Sequence, residues 1–424
     1  MAPVILVIKN PLSSSFNFRV SPIASLDVEY DTLKEFKLNK HLIDGDLMRN
    51  STPLATFRLD RLSSLSSISK PSLSLTLLTS ALLSSLLVAT SAHADTFKLR
   101  IGAGHPPVLP YTSQAKSFFV PEVTKRVKAK TGHTLVFTEA YGGSVAKLPE
   151  VLEATKSGLL DFGLLSTPFE PKNLFLQNYG YHVPFGQNDP VKAGKIARKL
   201  YEEIPELKTS LYAHNQEVLS VFACSNYNII TKQKISKPSD LKGVKLMAAG
   251  ANAVWLGGTG AIPVQSGLPQ AYNSLQTGVY EGVLMHFSGM KGFKLFEPAK
   301  FISVVNFGSI PINLMTVNRK TWQSLPGDVR TIIKEVALEY EQRVNQQTKV
   351  ADKAAVDAMV AAGATVTEFS KSDIDAWVKA LREVPKKAGE EGNSYGVPMQ
   401  KLLSRYIQLL KEDGNNLVAG YQVK

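Results

Sequence analysis

The sequence predicts an α/β protein, on three observations. First, Pro238 to Gly282 alternates short apolar runs with helical ones and leaves almost no slack between them. Second, the same alternation fills residues 97–165. Third, Gly and Pro fall where each element has to turn. Alternating units of this size build a mostly parallel sheet, and ligands of such sheets sit beyond the strand ends.

Residues 1–47 show no clear period, and Met48 is a candidate for the true start. From there the pattern is that of a leader. Arg49, Arg58, Arg61 and Lys70 precede an apolar run from Leu73 to Val88, and Ala92-His93-Ala94 supplies small residues for cleavage. The run is shorter than the roughly 20 residues of a membrane span. The expected product is an exported, periplasmic protein starting near Asp95, with residues 1–94 as leader.

Phe97–Gly102 alternates as a first strand, and Gly104-His105-Pro106-Pro107 loops after it. Ala115, Phe119, Val123 and Val127 keep helical spacing up to Thr131-Gly132. Thr134–Thr138 is a second strand, followed by the turn at Gly142-Gly143. Leu148, Val151, Leu152 and Thr155 mark a helix that stops at Ser157-Gly158, and Leu160–Leu165 reads as a buried strand. Val218–Phe222 and Asn228–Lys232 are strands on either side of a break.

In the central stretch, Val244–Met247, Ala261–Val264 and Val279–Met285 are strands. Ala251–Leu256 is a short helical piece before Gly257-Gly258. Pro269–Thr277 is a helix with Pro at its start and Gly278 past its end. Strands at Phe301–Val305 and Asn313–Asn318 come next. A long helix then carries Val329, Ile333, Val336 and Tyr340 on one face. Ser370 caps a helix with the stripe Ile374, Trp377, Val378 and Leu381. Met399–Lys411 is a last amphipathic helix.

Composition narrows the function. The chain has 424 residues, a formal net charge of +12 and one cysteine, Cys224, so neither a disulfide within the chain nor a cysteine metal cluster can form. Basic residues are dispersed among acids, which argues against nucleic-acid binding. HExxH, GxSxG, GxxxxGK[ST] and paired-cysteine spacings are missing, so no enzyme is expected. Gly102-Ala103-Gly104 resembles the start of GxGxxG, but Pro106 and Pro107 occupy the place where a helix should open.

The ordered set LKGVKL (241–246), GAIPV (260–264) and AYNSLQTGVYEG (271–282) resembles the signature of the DctP-type solute-binding proteins of tripartite ATP-independent periplasmic (TRAP) transporters. EATKSGLLDFGLL (153–165), Tyr181–Phe185 and Trp322–Pro326 are similar to further segments of that family. The resemblance runs from Asp95 to the last helix. It implies two α/β lobes of the periplasmic-binding type, joined by crossing strands and a long helix. Lobe one would take 95–224 with 313–352, and lobe two 225–312 with 353–424. It also implies a small organic solute closed in a cleft and TRAP membrane permease subunits as partners; a monocarboxylate-binding sensor or accessory protein on the same fold, or a periplasmic enzyme on the same scaffold, are the alternatives. Calcium is a minor option in the family that no acidic cluster here supports, so no metal and no cofactor are expected.

Members of that family hold a substrate carboxylate with an arginine on the strand after the Lys-Gly turn, and many carry a second past the lobe crossing. The matching positions here are Met247 and Asn228. A bidentate guanidinium–carboxylate pair fixes charge and orientation together, and its loss disfavours dicarboxylates and sialic acid. A neutral, aromatic or weakly acidic solute is expected, with Asn228 as a polar contact and Met247 as an apolar one. A monocarboxylate held by backbone N–H groups or a hydroxyl is the alternative. Further candidates lie at strand ends: His105, Tyr141, Ser166, Gln265, Leu268, His286 and Phe287. Trp255 and Cys224 are expected in the core.

Overall fold

The computed structural model describes residues 94–424 except 249, and the backbone of 15–20 and 24–29. Up to His93, the expected secretion signal lies outside the described residues. Within residues 1–88, Ser15–Val20 (β1) and Ala24–Glu29 (β2) form an antiparallel pair in a stretch without sequence period.

The remaining described residues build two sheets. The first holds Thr96–Ala103 (β3), Thr134–Ala140 (β4), Phe162–Ser166 (β5), Gln216–Ala223 (β6) and Pro311–Asn318 (β12), in the order β4-β3-β5-β12-β6. The second holds Tyr227–Thr231 (β7), Lys245–Met247 (β8), Ile262–Val264 (β9), Gly282–His286 (β10), Phe301–Gly308 (β11) and Thr365–Glu368 (β13), in the order β13-β11-β7-β10-β8-β9. The expected α/β class and two-lobed architecture are thus present.

The sheets are mixed for a topological reason. Strands that arise from strand–helix–strand units run parallel: β3 with β4 and β5, β8 with β9 and β10. Strands that enter from the other sheet run against their neighbours. β7 is antiparallel to β10 and β11, and β12 is antiparallel to β5 and β6. The chain leaves the first sheet at Cys224–Asn226 and returns at Ser309–Ile310. The two crossings lie side by side, with the Cys224 N–H donating to the Ile310 carbonyl at 2.9 Å. β5, β7, β10 and β12 are buried along their whole length, which is why they read as continuous apolar runs.

Gly327–Ala361 is a single 35-residue helix. Val329, Ile333, Val336, Tyr340 and Val344 pack it into the core of the first sheet, together with Phe119, Phe162 and Phe222. Ala355 and Met359 enter the second core, which contains Ile229, Ile230 and Val283. One helix therefore stiffens both halves. Its Glu341, 3% exposed, ion-pairs with Arg198 and accepts the Val221 N–H at 2.8 Å. Arg198 belongs to the helix Pro190–Glu203, capped by Asp189. Glu341→Gln keeps the shape and the backbone bond but removes the charge opposite Arg198. It is expected to lower unfolding free energy by ~1–2 kcal/mol in urea titration; an unchanged midpoint would mean that the pair contributes nothing.

The C-terminal helix Met399–Glu412 is buried along Leu402, Leu403, Tyr406 and Leu410. Tyr406 meets Tyr179 edge to face at 5.0 Å. The Asn415 amide ties the following turn to the carbonyls of Phe185 and Gly186 at 2.8 and 2.7 Å.

Candidate ligand-binding site

Loops from both sheets converge on one enclosed cavity. β3 leads into His105, Leu109 and Tyr111; the end of β5 brings Ser166, Pro168 and Phe169. From the second sheet come Tyr227 at the start of β7 and Leu284 to His286 at the end of β10. The 3-10 segment Gly250–Leu256 adds Asn252, and the entry to the helix Leu268–Thr277 adds Ser266 and Leu268. Tyr181, Phe293, Ile312 and Asn313 complete the wall. The placement beyond the strand ends follows the rule for open α/β sheets. About 50 Å³ is open to the centre of a water molecule. That is roughly three to five times what a single water takes.

The wall is aromatic and aliphatic with a few polar groups, and several of those lack protein partners. His105 Nε2, both side-chain polar atoms of Asn252 and the Asn313 Oδ1 are buried without a hydrogen bond. A buried polar atom without a partner costs ~1–3 kcal/mol, so a cluster of them on one wall points to a ligand. Among the described residues lining the cavity, none is Lys, Arg, Asp or Glu.

Two imidazoles set the electrostatics. His105 Nδ1 lies 2.7 Å from the Tyr111 hydroxyl. A hydroxyl both donates and accepts, so either tautomer satisfies that bond. His286 is different. Its Nδ1 accepts the Gly289 backbone N–H at 3.0 Å, so in the neutral ring the proton sits on Nε2. Gly289 has to be glycine here: a Cβ would come within 2.7 Å of Met285 Sδ and 2.9 Å of His286 Cε1. Burial pushes His105 down to about 4, and burial plus the charge of a protonated His105 pushes His286 down to about 4. Both rings are therefore neutral at pH 7.

Behind His286 a relay leads away from the cavity. The Ser288 Oγ lies 3.1 Å from His286 Nδ1 and 3.0 Å from the Ser225 Oγ, and Ser225 bonds to Asp352 on the long helix. Asp352 also accepts the Asn226 N–H at 3.2 Å. Burial raises its carboxyl to about 6, against the opposing pull of these hydrogen bonds. Ser225 and Asn226 form the crossing between the sheets, so the relay fastens that crossing to the long helix.

Of the residues singled out from the sequence, His105, Ser166, Leu268 and His286 line the cavity. Five others lie elsewhere. The Asn228 carbonyl oxygen accepts the N–H groups of Val305 and Asn306 at 2.8 and 2.9 Å, filling the bulge in β11, and its amide nitrogen donates to the Asn226 carbonyl. Asn306 there has φ 62, so that backbone needs an outside acceptor. Met247 is 1% exposed, and its sulfur accepts from the Tyr280 hydroxyl at 3.6 Å. Gln265 is exposed. Phe287 faces a surface groove with Asp189 and Lys349, and Tyr141 packs against the core of the first sheet. Trp255 and Cys224 are core residues as expected. No helix opens at Pro106; the next begins at Pro110.

Asn252, Asn313, Ser266, Phe169, Tyr181 and Tyr227 were not read from the sequence as wall residues. Asn313 did leave a signal, being a lone polar residue in the apolar run Ile310–Met315. The others had none, because nothing in a local pattern says which loop turns inward.

The family model for bacterial extracellular solute-binding proteins of family 7, DctP, matches residues 111–391. A C4-dicarboxylate-binding periplasmic protein DctP of Vibrio cholerae is 25% identical over 241 residues, covering 56% of this chain and 71% of the relative. Its Rhodobacter capsulatus counterpart is 29% identical over 159 residues, covering 37% of this chain; the match spans about half of that relative, 47% of its length. A TRAP solute-binding protein of Rhodoferax ferrireducens in complex with copurified benzoate has TM-score 0.66 at 18% identity, covering 74% of this chain and 98% of that one. A Bordetella pertussis extracytoplasmic solute receptor binding pyroglutamic acid has TM-score 0.61 at 19% identity, covering 73% and 99%. At these identities the structural likeness carries the fold. Among the described residues no helix is long and apolar enough to cross a membrane, and no acidic, histidine or cysteine group could hold a metal ion.

Proposed function

Because this chain belongs to family 7 of the bacterial extracellular solute-binding proteins, the DctP family, we propose that it is the receptor of a TRAP-type transporter, capturing a small organic solute and delivering it to the membrane permease. The observation that carries this reading is the enclosed wall of unpartnered neutral polar groups between the two sheets, from His105, Asn252 and Asn313. A solute that satisfied those atoms would favour the closed state by contacts that an open cleft does not make. On this reading the lobes divide at the crossings Cys224–Asn226 and Ser309–Ile310. The apolar run 73–88 and Ala92-His93-Ala94 support export, with the mature chain starting near Asp95.

The finer reading concerns the solute. With Met247 and Asn228 where arginines would stand, and no cation among the described wall residues, standard dicarboxylates fit poorly. A neutral, aromatic or weakly acidic molecule fits better, since Phe169, Tyr181, Leu268 and Ile312 supply apolar area. The test is a thermal-shift screen of the chain against monocarboxylates, aromatic compounds, polyols and dicarboxylates. At least one member of the first three classes should raise the melting point by mass action, and succinate and malate should not. Asn252→Leu should weaken the hit about ten- to a hundredfold, from the loss of one or two buried hydrogen bonds. Micromolar succinate binding would reject the solute reading, and no stabilising compound at all would reject the receptor reading with it.

A further inference from the structure

Resting on the receptor reading, we propose that the His105–His286 pair makes this site a proton-coupled binder of a monocarboxylic acid: one carboxylate and one proton enter together, and the cavity gains no net charge. A bare anion on a neutral, closed wall would lose its hydration with no opposite charge nearby, at a cost of several kcal/mol. Among the described wall residues only the two imidazoles can gain a proton to offset it; the phenols of Tyr111, Tyr181 and Tyr227 can only lose one.

The geometry suits the task. His286 presents Nε2–H because Gly289 holds its Nδ1. His105 leaves Nε2 unpartnered, while the Tyr111 hydroxyl accepts or donates at Nδ1 according to where the proton sits. The pair thus offers one fixed donor and one group that serves as acceptor or, once protonated, as donor. Balance is simple: carboxylate and proton enter, and the proton rests on an imidazole or on the bound carboxyl, with no bond made to carbon.

The groups facing the pair are few. Tyr111 and Phe169 stand against His105, with ring centroids at 6.0 and 6.1 Å. Tyr227 stands against His286 at 5.4 Å, and Ser288 and Ser225 separate it from Asp352. Asp352 is the charged group that this chain of contacts reaches. Burial keeps both imidazoles neutral until pH approaches 4, so at neutral pH the empty site carries no proton to give. A bound carboxylate raises the acceptor ring. Proton uptake then reaches one per site between that raised value and about 4, and affinity rises as pH falls through that window.

The experiment is calorimetry of the full chain with benzoate and with benzamide, between pH 7.5 and 5.5, in buffers of different protonation enthalpy. Benzoate stays ionised over that range. Its affinity is expected to rise five- to tenfold per pH unit over at least one unit, with close to one proton taken up; benzamide affinity stays flat. His105→Gln and His286→Gln keep hydrogen-bonding shape, and the double variant should stay folded over this range and bind benzoate more weakly and without pH dependence. Asp352→Asn should retain the slope. Flat benzoate binding, a slope that survives in the double histidine variant, a slope abolished by Asp352→Asn, or benzamide binding without benzoate would each overturn the inference and leave the receptor reading standing. No binding by either compound also overturns it. Only failure of the whole solute screen removes the receptor reading with it.

Discussion

Trp255→Ala is expected to lower unfolding free energy by ~4–6 kcal/mol, measured by urea titration. Trp255 is 0% exposed. Its indole packs on Tyr227 at 5.2 Å, Phe307 at 5.1 Å and Tyr181 at 5.6 Å between ring centroids. Truncating a buried Trp to Ala costs ~3–5 kcal/mol from lost transfer energy and the cavity left behind. A second cost is polar. The Trp255 Nε1–H donates to the Tyr181 carbonyl at 2.6 Å, and that buried acceptor would lose its partner, at ~1–3 kcal/mol. Relaxation of Tyr181 and Tyr227 recovers part of the total. Trp255→Phe separates the two contributions, since it retains most of the packing and loses the donor; ~2–3 kcal/mol is expected. Because Tyr181 and Tyr227 also line the cavity, the alanine variant should bind solute more weakly than its stability alone explains. A loss below ~1 kcal/mol for Trp255→Ala would show that the ring cluster contributes little to stability.

The second large effect is acid destabilisation. His105 and His286 titrate near 4 when folded and near 6.5 when unfolded, because burial penalises the imidazolium. As pH falls through 6.5 the unfolded chain takes up those protons and the folded chain does not. The stability that both rings contribute is complete above 6.5 and is lost progressively down to about 4. A gap of about 2.5 units corresponds to ~3 kcal/mol for each ring. Asp352 works in the opposite direction. Its folded carboxyl titrates near 6, above the ordinary carboxylate value, so the folded chain takes up that proton first and gains stability as pH falls from 6 toward 4. His182, which burial likewise pushes down to about 4, adds a third loss, and three losses against one gain leave a net decline. Melting temperature without solute should therefore fall between pH 6.5 and 4. The double variant His105→Gln/His286→Gln should flatten the decline, because the remaining loss at His182 and the gain at Asp352 nearly cancel, and Asp352→Asn should steepen it and raise stability above pH 7. A melting temperature level across that range would mean that the two imidazoles are not held neutral by burial.

Much of this molecule was legible locally. The Ser370 cap is one case: a serine before an acidic first turn announces a helix start, and its Oγ accepts the Asp373 N–H at 3.1 Å. The helix Leu268–Thr277, with Pro269 at its start and Gly278 in the left-handed conformation past its end, is another. Thr365–Glu368 was not legible, since four residues without strict alternation become a strand only because β11 lies beside them. Asn228 shows the limit at the site. Alternation places it on β7, but what its amide does depends on a bulge near Asn306, which folds against it from far along the chain. The cavity has the same character, because Ser166, Asn252, His286 and Asn313 meet there from separate elements.

The sequence by itself determined the α/β class, the order of the elements, the family signature between 241 and 282, and the lack of arginine at 228 and 247. Hydrophobic period, turn chemistry and residue identity are local properties, and each is written within a few positions. Only the tertiary structure decided which strand-end loops share a cavity, which polar atoms there lack partners, and that two imidazoles rather than guanidinium groups face its interior. Those outcomes depend on the crossing strands and the long helix bringing distant loops together, and on burial, which alters the basicity of a histidine without altering its place in the chain.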